Sequence, residues 1–187
     1  MAHFNYQSTP AHPRKVQRLM REFLEDASTL TYFDDDLEME IQRSISLRKG
    51  KDGFCTDPTP EDESTVVIFY DFTDLDQTKT SPRVFNQNVR ARASFTRGIA
   101  DVTIALLHEL GHNAVFGNLP KGFNRNDELI NIFAATRDNF VLRCQMYCDL
   151  PDEWAATQWA IDWLSDPENR RKARAFERAF FKAWRGE

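Results

Sequence analysis

The sequence has little glycine, few cysteines and no long apolar run. Seven glycines stand against 15 phenylalanines in 187 residues, which favours a helix-rich, aromatic core over a turn-rich sandwich of sheets. No stretch approaches the roughly 18 apolar residues that a membrane span needs. No apolar segment follows the first charged residues, so we expect neither a membrane span nor a signal peptide.

The cysteine count is odd, and Cys144 and Cys148 are poorly spaced for a bridge within a helix. We therefore expect a cytoplasmic protein.

Positive charge is also in deficit. Lys plus Arg number 24 against 29 for Asp plus Glu, which gives a net charge of −5. That balance argues against a general nucleic-acid binder, because such a protein needs surplus cations to displace counterions from phosphate. We expect no direct contact with nucleic acid, and we interpret a group of arginines in the middle of the chain as a solvated face. These are Arg83, Arg90, Arg92 and Arg97.

Apolar spacing and turn signals predict an α+β fold that is mostly helical, with a small sheet ahead of a central helix. The length fits a single domain over 1–187, which we divide into N-terminal helices and a loop (1–64), a strand region with the central helix (65–117), and C-terminal helices (118–187). Helices are predicted at 13–27, 34–47, 96–115, 127–148, 151–164 and 167–185. Strands are predicted at 65–72 and within 83–95, and a loop at 48–64.

The central helix carries the motif His-Glu-Leu-Gly-His at 108–112. Four residues along a helix are about 6 Å of rise, so His108 and His112 leave the same face and can bind one Zn²⁺. Glu109, next to the first ligand, can act as general base when water attacks a peptide carbonyl. Gly111 costs a helix roughly 1 kcal/mol relative to alanine, which predicts that a neighbouring element approaches closely there.

The third ligand is expected to be a carboxylate from a later helix, which leaves a fourth position for water. A metzincin would place Gly and a third His after the motif, but Val115 and Asn118 stand at those positions. His3 and His12 lie in a polar N-terminal segment and are expected to be exposed. The pattern therefore indicates a zincin-like site of the gluzincin type.

The segment 153–164 resembles the second motif of the ImmA/IrrE family of zinc metallopeptidases, which occur in bacteria, prophages and integrative elements. That family follows HExxH with a helix reading Glu-x-x-Ala-x-x-aromatic-Ala-x-x-x-Leu. The matching positions are Glu153, Ala156, Trp159, Ala160 and Leu164. The resemblance implies that Glu153 is the third zinc ligand. It also implies a peptidase that cleaves one specific protein, such as a repressor-like regulator.

The helix predicted at 127–148 opens with a pattern that is similar to the same motif and to the ligand helix of thermolysin-like gluzincins. Asp127 and Glu128 are therefore alternative third ligands. The small residues Ala156 and Ala160 favour Glu153, because they allow its helix to lie close against Gly111.

Other functional assignments stay open at the level of sequence. Tyr147 or Tyr70 could stabilise the oxyanion, and the strand at 65–72 or its neighbour could form an edge along which an extended substrate pairs. Two other classes of function compete with a peptidase. One is a non-catalytic interaction module with a structural zinc site, and the other is a hydrolase for a non-peptide amide.

Overall fold

The computed structural model describes residues 6, 8–50, 54–57, 63–76 and 81–187, and His3 lies outside them. The helices are α1 (Pro13–Ala27), α2 (Thr73–Asp76), α3 (Ser81–Arg92), α4 (Asp101–Val115), α5 (Arg125–Thr136), α6 (Phe140–Cys148), α7 (Pro151–Ser165) and α8 (Pro167–Arg185). The strands are β1 (Thr31–Asp34), β2 (Met39–Gln42), β3 (Ser44–Lys49), β4 (Cys55–Asp57) and β5 (Thr65–Tyr70). The expected α+β class, mostly helical with its strands ahead of α4, is confirmed.

The strands form two separate sheets. β1 and β2 make an antiparallel hairpin, and the other sheet has the order β3-β5-β4. In that second sheet, β3 runs parallel to β5 and β4 runs antiparallel to it. β5 is therefore central, and its residues Val66, Val67 and Ile68 are buried.

The core is aromatic, as the composition predicts. Phe180 of α8 is fully buried, and its ring lies 5.8 Å from that of Phe72 and 5.5 Å from those of Phe176 and Trp184. The middle of the molecule is α4, in which every residue from Val102 to Gly111 is buried. A helix enclosed in this way holds its side chains in fixed positions.

Three helices match their predicted bounds closely, namely α1, α7 and α8. Each has a proline in its first turn. Backbone N–H groups of the first turn make no hydrogen bond within the helix, so proline loses none there. At the start of α8, Asp166 accepts a hydrogen bond from the backbone N–H of Glu168 at 2.7 Å. These are local signals that the sequence displays directly.

The helix predicted at 34–47 is wrong, because this segment forms the β1–β2 hairpin and the start of β3. Asp34 accepts hydrogen bonds from the backbone N–H groups of Asp36 and Leu37, both at 3.0 Å, so the acidic run makes a turn. Glu38 completes the turn with a positive φ of 50°. Apolar residues spaced four apart fit an alternating strand as well as a helix.

Other boundaries also differ from the predictions. The segment predicted to supply strands at 83–95 is helical in α3, and β4 lies within the predicted loop at 48–64, part of which is outside the described residues. The helix predicted at 127–148 is two helices. Arg137 interrupts it with a φ of 41°, and Asn139 then caps α6 by accepting a hydrogen bond from Leu142 N at 3.0 Å.

Candidate metal centre

The His-Glu-Leu-Gly-His motif lies on the last two turns of α4. The rings of His108 and His112 meet edge to face across one helical turn, with centroids 4.7 Å apart and planes at 82°. One ligand atom each from His108, Glu109 and His112 lies within 4.8 Å of the others. Glu109 and His108 are buried, whereas His112 is half-buried. The helix therefore presents one clustered set of donors.

Glu153, in the first turn of α7, completes this cluster. Its Oε2 lies 3.0 Å from His108 Nε2 and 3.4 Å from His112 Nε2, and the residue is only 2% exposed. Burial alone would raise the pKa of this carboxyl. The hydrogen bonds and charges of the two histidines outweigh burial and bring the pKa well below its ordinary value. Glu153 is thus held as a carboxylate against both imidazoles.

Close contact between α4 and α7 explains how Glu153 reaches the histidines. A Cβ placed on Gly111 would lie 2.7 Å from the backbone oxygen of Ala156 and 3.1 Å from its Cα. The backbone of α7 therefore occupies the space that a larger side chain at 111 would need. The predicted close approach at Gly111 is confirmed, and it places the start of α7 beside His108 and His112.

Sequence reasoning missed Arg125, the first residue of α5. Its Nη2 donates to Glu153 Oε1 at 2.5 Å, and its guanidinium also contacts Asp152 and the hydroxyl of Tyr147. Arg125 thus binds Oε1 of Glu153, whereas Oε2 contacts the two histidines. No motif indicated it, because α5 and α7 meet only in the tertiary structure.

The competing ligand candidates do not reach the cluster. Asp127 and Glu128 lie in the first turn of α5 and are exposed, where negative charge suits the helix dipole. His12 is exposed at the start of α1. Of the two tyrosines, Tyr147 is hydrogen-bonded to both Arg125 and Glu153, whereas Tyr70 packs in the aromatic core with its ring 5.1 Å from Phe72.

Glu109 has the pKa that a proton-transfer group needs near neutral pH. Burial raises its pKa to about 7, and the nearby Glu153 carboxylate acts in the same direction. His108 and Arg125 oppose this rise. A group with this pKa can both accept and return a proton.

Two further contacts hold α4 in place, one from α7 and one from α8. His108 Nδ1 is hydrogen-bonded to Thr157 Oγ1 at 3.2 Å, which fixes the plane of that imidazole. Glu177 of α8 accepts hydrogen bonds from Ala100 N at 2.7 Å and from Thr103 Oγ1 at 2.8 Å. It thereby satisfies backbone and side-chain donors at the start of α4.

The prediction that the central arginines form a solvated face is wrong for Arg90 and Arg92. Arg90 pairs with Asp101 at 2.6 Å, and the guanidinium of Arg92 lies 3.7 Å above the ring of Trp154. Both therefore stabilise contacts between helices. Arg97 is exposed as expected, and the side chain of Arg83 lies outside the described part.

The donor set fits zinc. A tetrahedral site with ligands about 2.0–2.1 Å from the metal places neighbouring ligand atoms about 3.3 Å apart. The separations of Glu153 Oε2 from the two imidazole nitrogens, 3.0 and 3.4 Å, bracket that value. Two imidazoles and one carboxylate are also the ligand types of known three-ligand zinc sites.

Comparison of the chain with protein-family models, curated proteins and solved structures finds no match. Among the residues that the structure describes, no helix combines the length and apolar character needed to cross a bilayer.

Proposed function

We propose that this chain is a zinc-dependent metallopeptidase of the zincin type, with His108, His112 and Glu153 as ligands and Glu109 as general base. One observation carries the proposal. Glu153 brings a buried carboxylate to within 3.0 and 3.4 Å of the two motif histidines, so three donors converge while Glu109 stays beside them. Three protein ligands leave one position for water, which is the arrangement of catalytic zinc.

The surrounding residues fit this chemistry. Zn²⁺ bound by this set would act as a Lewis acid and make water a competent nucleophile near neutral pH. Glu109 takes the proton from the attacking water and returns it to the leaving amine. Arg125 balances the buried charge of Glu153 and fixes its orientation. The hydrogen bond from Thr157 fixes the orientation of the His108 ring.

We propose a protein substrate that binds in extended form, at the edge of the sheet nearest α4. β5 is paired on both sides, so its neighbour β4 is the candidate edge. Asn113 of α4 donates to Thr56 Oγ1 of β4 at 2.6 Å, which ties this edge to the metal helix. The resemblance to ImmA/IrrE proteins favours a single regulatory target, such as a repressor, in the cytoplasm.

A structural zinc site in a non-catalytic interaction module is the second candidate. Its support is the position of Glu109, whose carboxylate lies within 4.8 Å of donor atoms of both histidines. A fourth protein ligand would close the site to water, as in structural zinc centres. The two functions therefore differ in what Glu109 does.

The ligand assignment is tested by zinc content. We expect about one Zn²⁺ per chain after purification, and sharp loss of zinc in His108→Ala, His112→Ala and Glu153→Ala, because the remaining ligands hold the metal poorly. Glu128→Ala is the matched control, since it removes an exposed glutamate from a helix start and should leave zinc content unchanged. Retention of zinc by Glu153→Ala together with its loss from Glu128→Ala would reverse the assignment.

Glu109→Gln separates the enzyme from the structural module. As a general base, Glu109 is needed for hydrolysis but not for zinc, so the variant should keep its metal and lose cleavage by several orders of magnitude. Cleavage is measured by mass spectrometry on a proteome-derived peptide library, with metal-stripped and zinc-restored protein as controls. If wild-type protein leaves the library intact and Glu109→Gln loses zinc, the structural module is the better description.

A further inference from the structure

A second candidate site lies at the opposite edge of the three-stranded sheet, on β3. The partner of β3 among the described residues is β5 alone. Ser44 N donates to Ser64 O at 2.9 Å, which shows that the even-numbered residues of β3 face β5. In a parallel strand, the backbone N–H and C=O groups of alternate residues point to opposite sides, toward one neighbouring strand or the other. Ile45 and Leu47 therefore direct their backbone N–H and C=O groups toward the outer edge.

Gln17 of α1 reaches this outer edge. Its Nε2 donates to Leu47 O at 2.9 Å, the position that a backbone N–H of an added strand would take. The side chains of Ile45 and Leu47 are themselves buried, so the edge presents backbone groups rather than side chains. This edge is thus competent to pair, and at present a side chain from α1 fills one of its positions.

Three arginines of α1 line a groove together with residues of the strand edge. Arg14, Arg18 and Arg21 line a groove of about 340 Å³, together with Gln17, Ile45, Ser46 and Leu47. This volume falls within the range of ligand sites in proteins. Arg18 and Arg21 contact Glu22 and Glu25 at 3.5 and 3.8 Å, and all four side chains are about half exposed. Exposed pairs of this kind are weak, so a carboxylate from a ligand can replace them.

We propose that this groove binds an acidic, extended segment of a partner protein as an added strand on β3. The three arginines are four and three residues apart on α1, which is about 6.0 and 4.5 Å of helix rise. Side chains on one face of an extended strand recur about every 6.7 Å. Carboxylates at alternate positions of the segment can therefore meet successive arginines, because long guanidinium side chains absorb the difference. Backbone pairing supplies affinity, and the alternate acidic side chains supply specificity.

A peptide fits this groove better than a nucleic acid does. The outward-directed backbone groups of β3 match the backbone of another strand, and a nucleic acid has no such complement. Glu22 and Glu25 stand beside the arginines and repel a continuous row of phosphates. The net charge of −5 also disfavours a nucleic acid.

The test uses the full chain and a labelled seven-residue peptide with glutamate at its second, fourth and sixth positions and valine or threonine between. We expect saturable binding by fluorescence anisotropy. Replacing Arg14, Arg18 and Arg21 together with glutamine should weaken binding by about tenfold, since each exposed ion pair contributes a few-fold. The matched control replaces Arg171, Arg174 and Arg178 of α8 with glutamine, which changes the net charge equally and should leave binding unchanged.

Two measurements on the unaltered protein test the strand geometry. Two peptides are compared, one N-methylated at the odd residues and one at the even residues; the one that loses the donors facing β3 should not bind, and unmodified peptide should slow hydrogen exchange at Leu47 N–H. Gln17→Ala should tighten binding by about two- to tenfold, because the competing donor on Leu47 O is gone. Absence of peptide binding, equal binding by both arginine variants, or indifference to N-methylation would overturn the proposal. Binding of single-stranded RNA or anionic vesicles in place of the peptide would do the same.

Discussion

Replacing Gly111 by alanine would test whether α7 is held against the metal helix as closely as the structure indicates. The added Cβ would lie 2.7 Å from Ala156 O, whereas ordinary contact begins at 3.4 Å. The backbone of α7 would therefore have to withdraw by about 0.7 Å, the difference between these two distances. Glu153 is three residues earlier on the same helix and would withdraw with it.

Two opposing terms decide the stability of this variant. Alanine is favoured over glycine in a helix interior by about 1 kcal/mol, whereas overpacking a core costs about 1–3 kcal/mol. Because the clash is with backbone atoms, we expect overpacking to cost about 2–3 kcal/mol, the upper part of its range, and the free energy of unfolding to fall by about 1–2 kcal/mol. Urea unfolding of the metal-free protein measures this directly. Ala175→Gly, at an exposed position in the middle of α8, gives the propensity term separately and should cost about 1 kcal/mol.

Zinc affinity gives a second measurement on the same variant. Metal sites tolerate deviations of only about 0.2 Å in ligand distance, so a displaced Glu153 should weaken zinc binding by at least about tenfold in chelator competition. A Gly111→Ala protein that is more stable than wild type by about 1 kcal/mol, with unchanged zinc affinity, would refute this reasoning. It would show that α7 does not lie in contact with Gly111.

The remaining predictions concern two other buried groups. Burial raises the pKa of Glu177, so its folded form favours the proton. The wild-type free energy of unfolding should therefore fall relative to Glu177→Gln as the pH rises from about 4.3 through the raised pKa, as a pH series of urea unfolding would show; a constant difference between the two proteins would contradict this. Burial also raises the pKa of the Cys148 thiol to about 12, and Cys144 is buried as well. Iodoacetamide at pH 8 should label Cys55 alone in the folded protein and all three cysteines after unfolding, and peptide mapping that finds modified Cys148 in the folded state would contradict the packing of α6.

Much of the helical framework could be predicted because its signals are local. Proline in the first turn, an acidic cap and apolar residues at helical spacing define α1 and α8 within a few neighbouring residues. Where local signals are ambiguous, the predictions fail. The run at 34–47 has a spacing that suits helix or strand, and the turn made by Asp34 selects the hairpin. The break between α5 and α6 falls at Arg137, and because arginine is a good helix former, the local pattern continues the helix through it.

The sequence alone determined which face of one helix carries His108, Glu109 and His112, because the spacing of residues along a helix fixes their directions. It also predicted a close neighbour at Gly111, since glycine there has a cost in helix stability. Only the tertiary structure decided which acid lies beside the histidines. Glu153 and Glu128 both lie in the first turns of helices. The small residues Ala156 and Ala160 favour Glu153, but they do not show which helix packs against α4. The packing of α7 against Gly111 brings Glu153 inward, and the guanidinium of Arg125 holds it there, because contacts between distant segments exist only once the chain has folded.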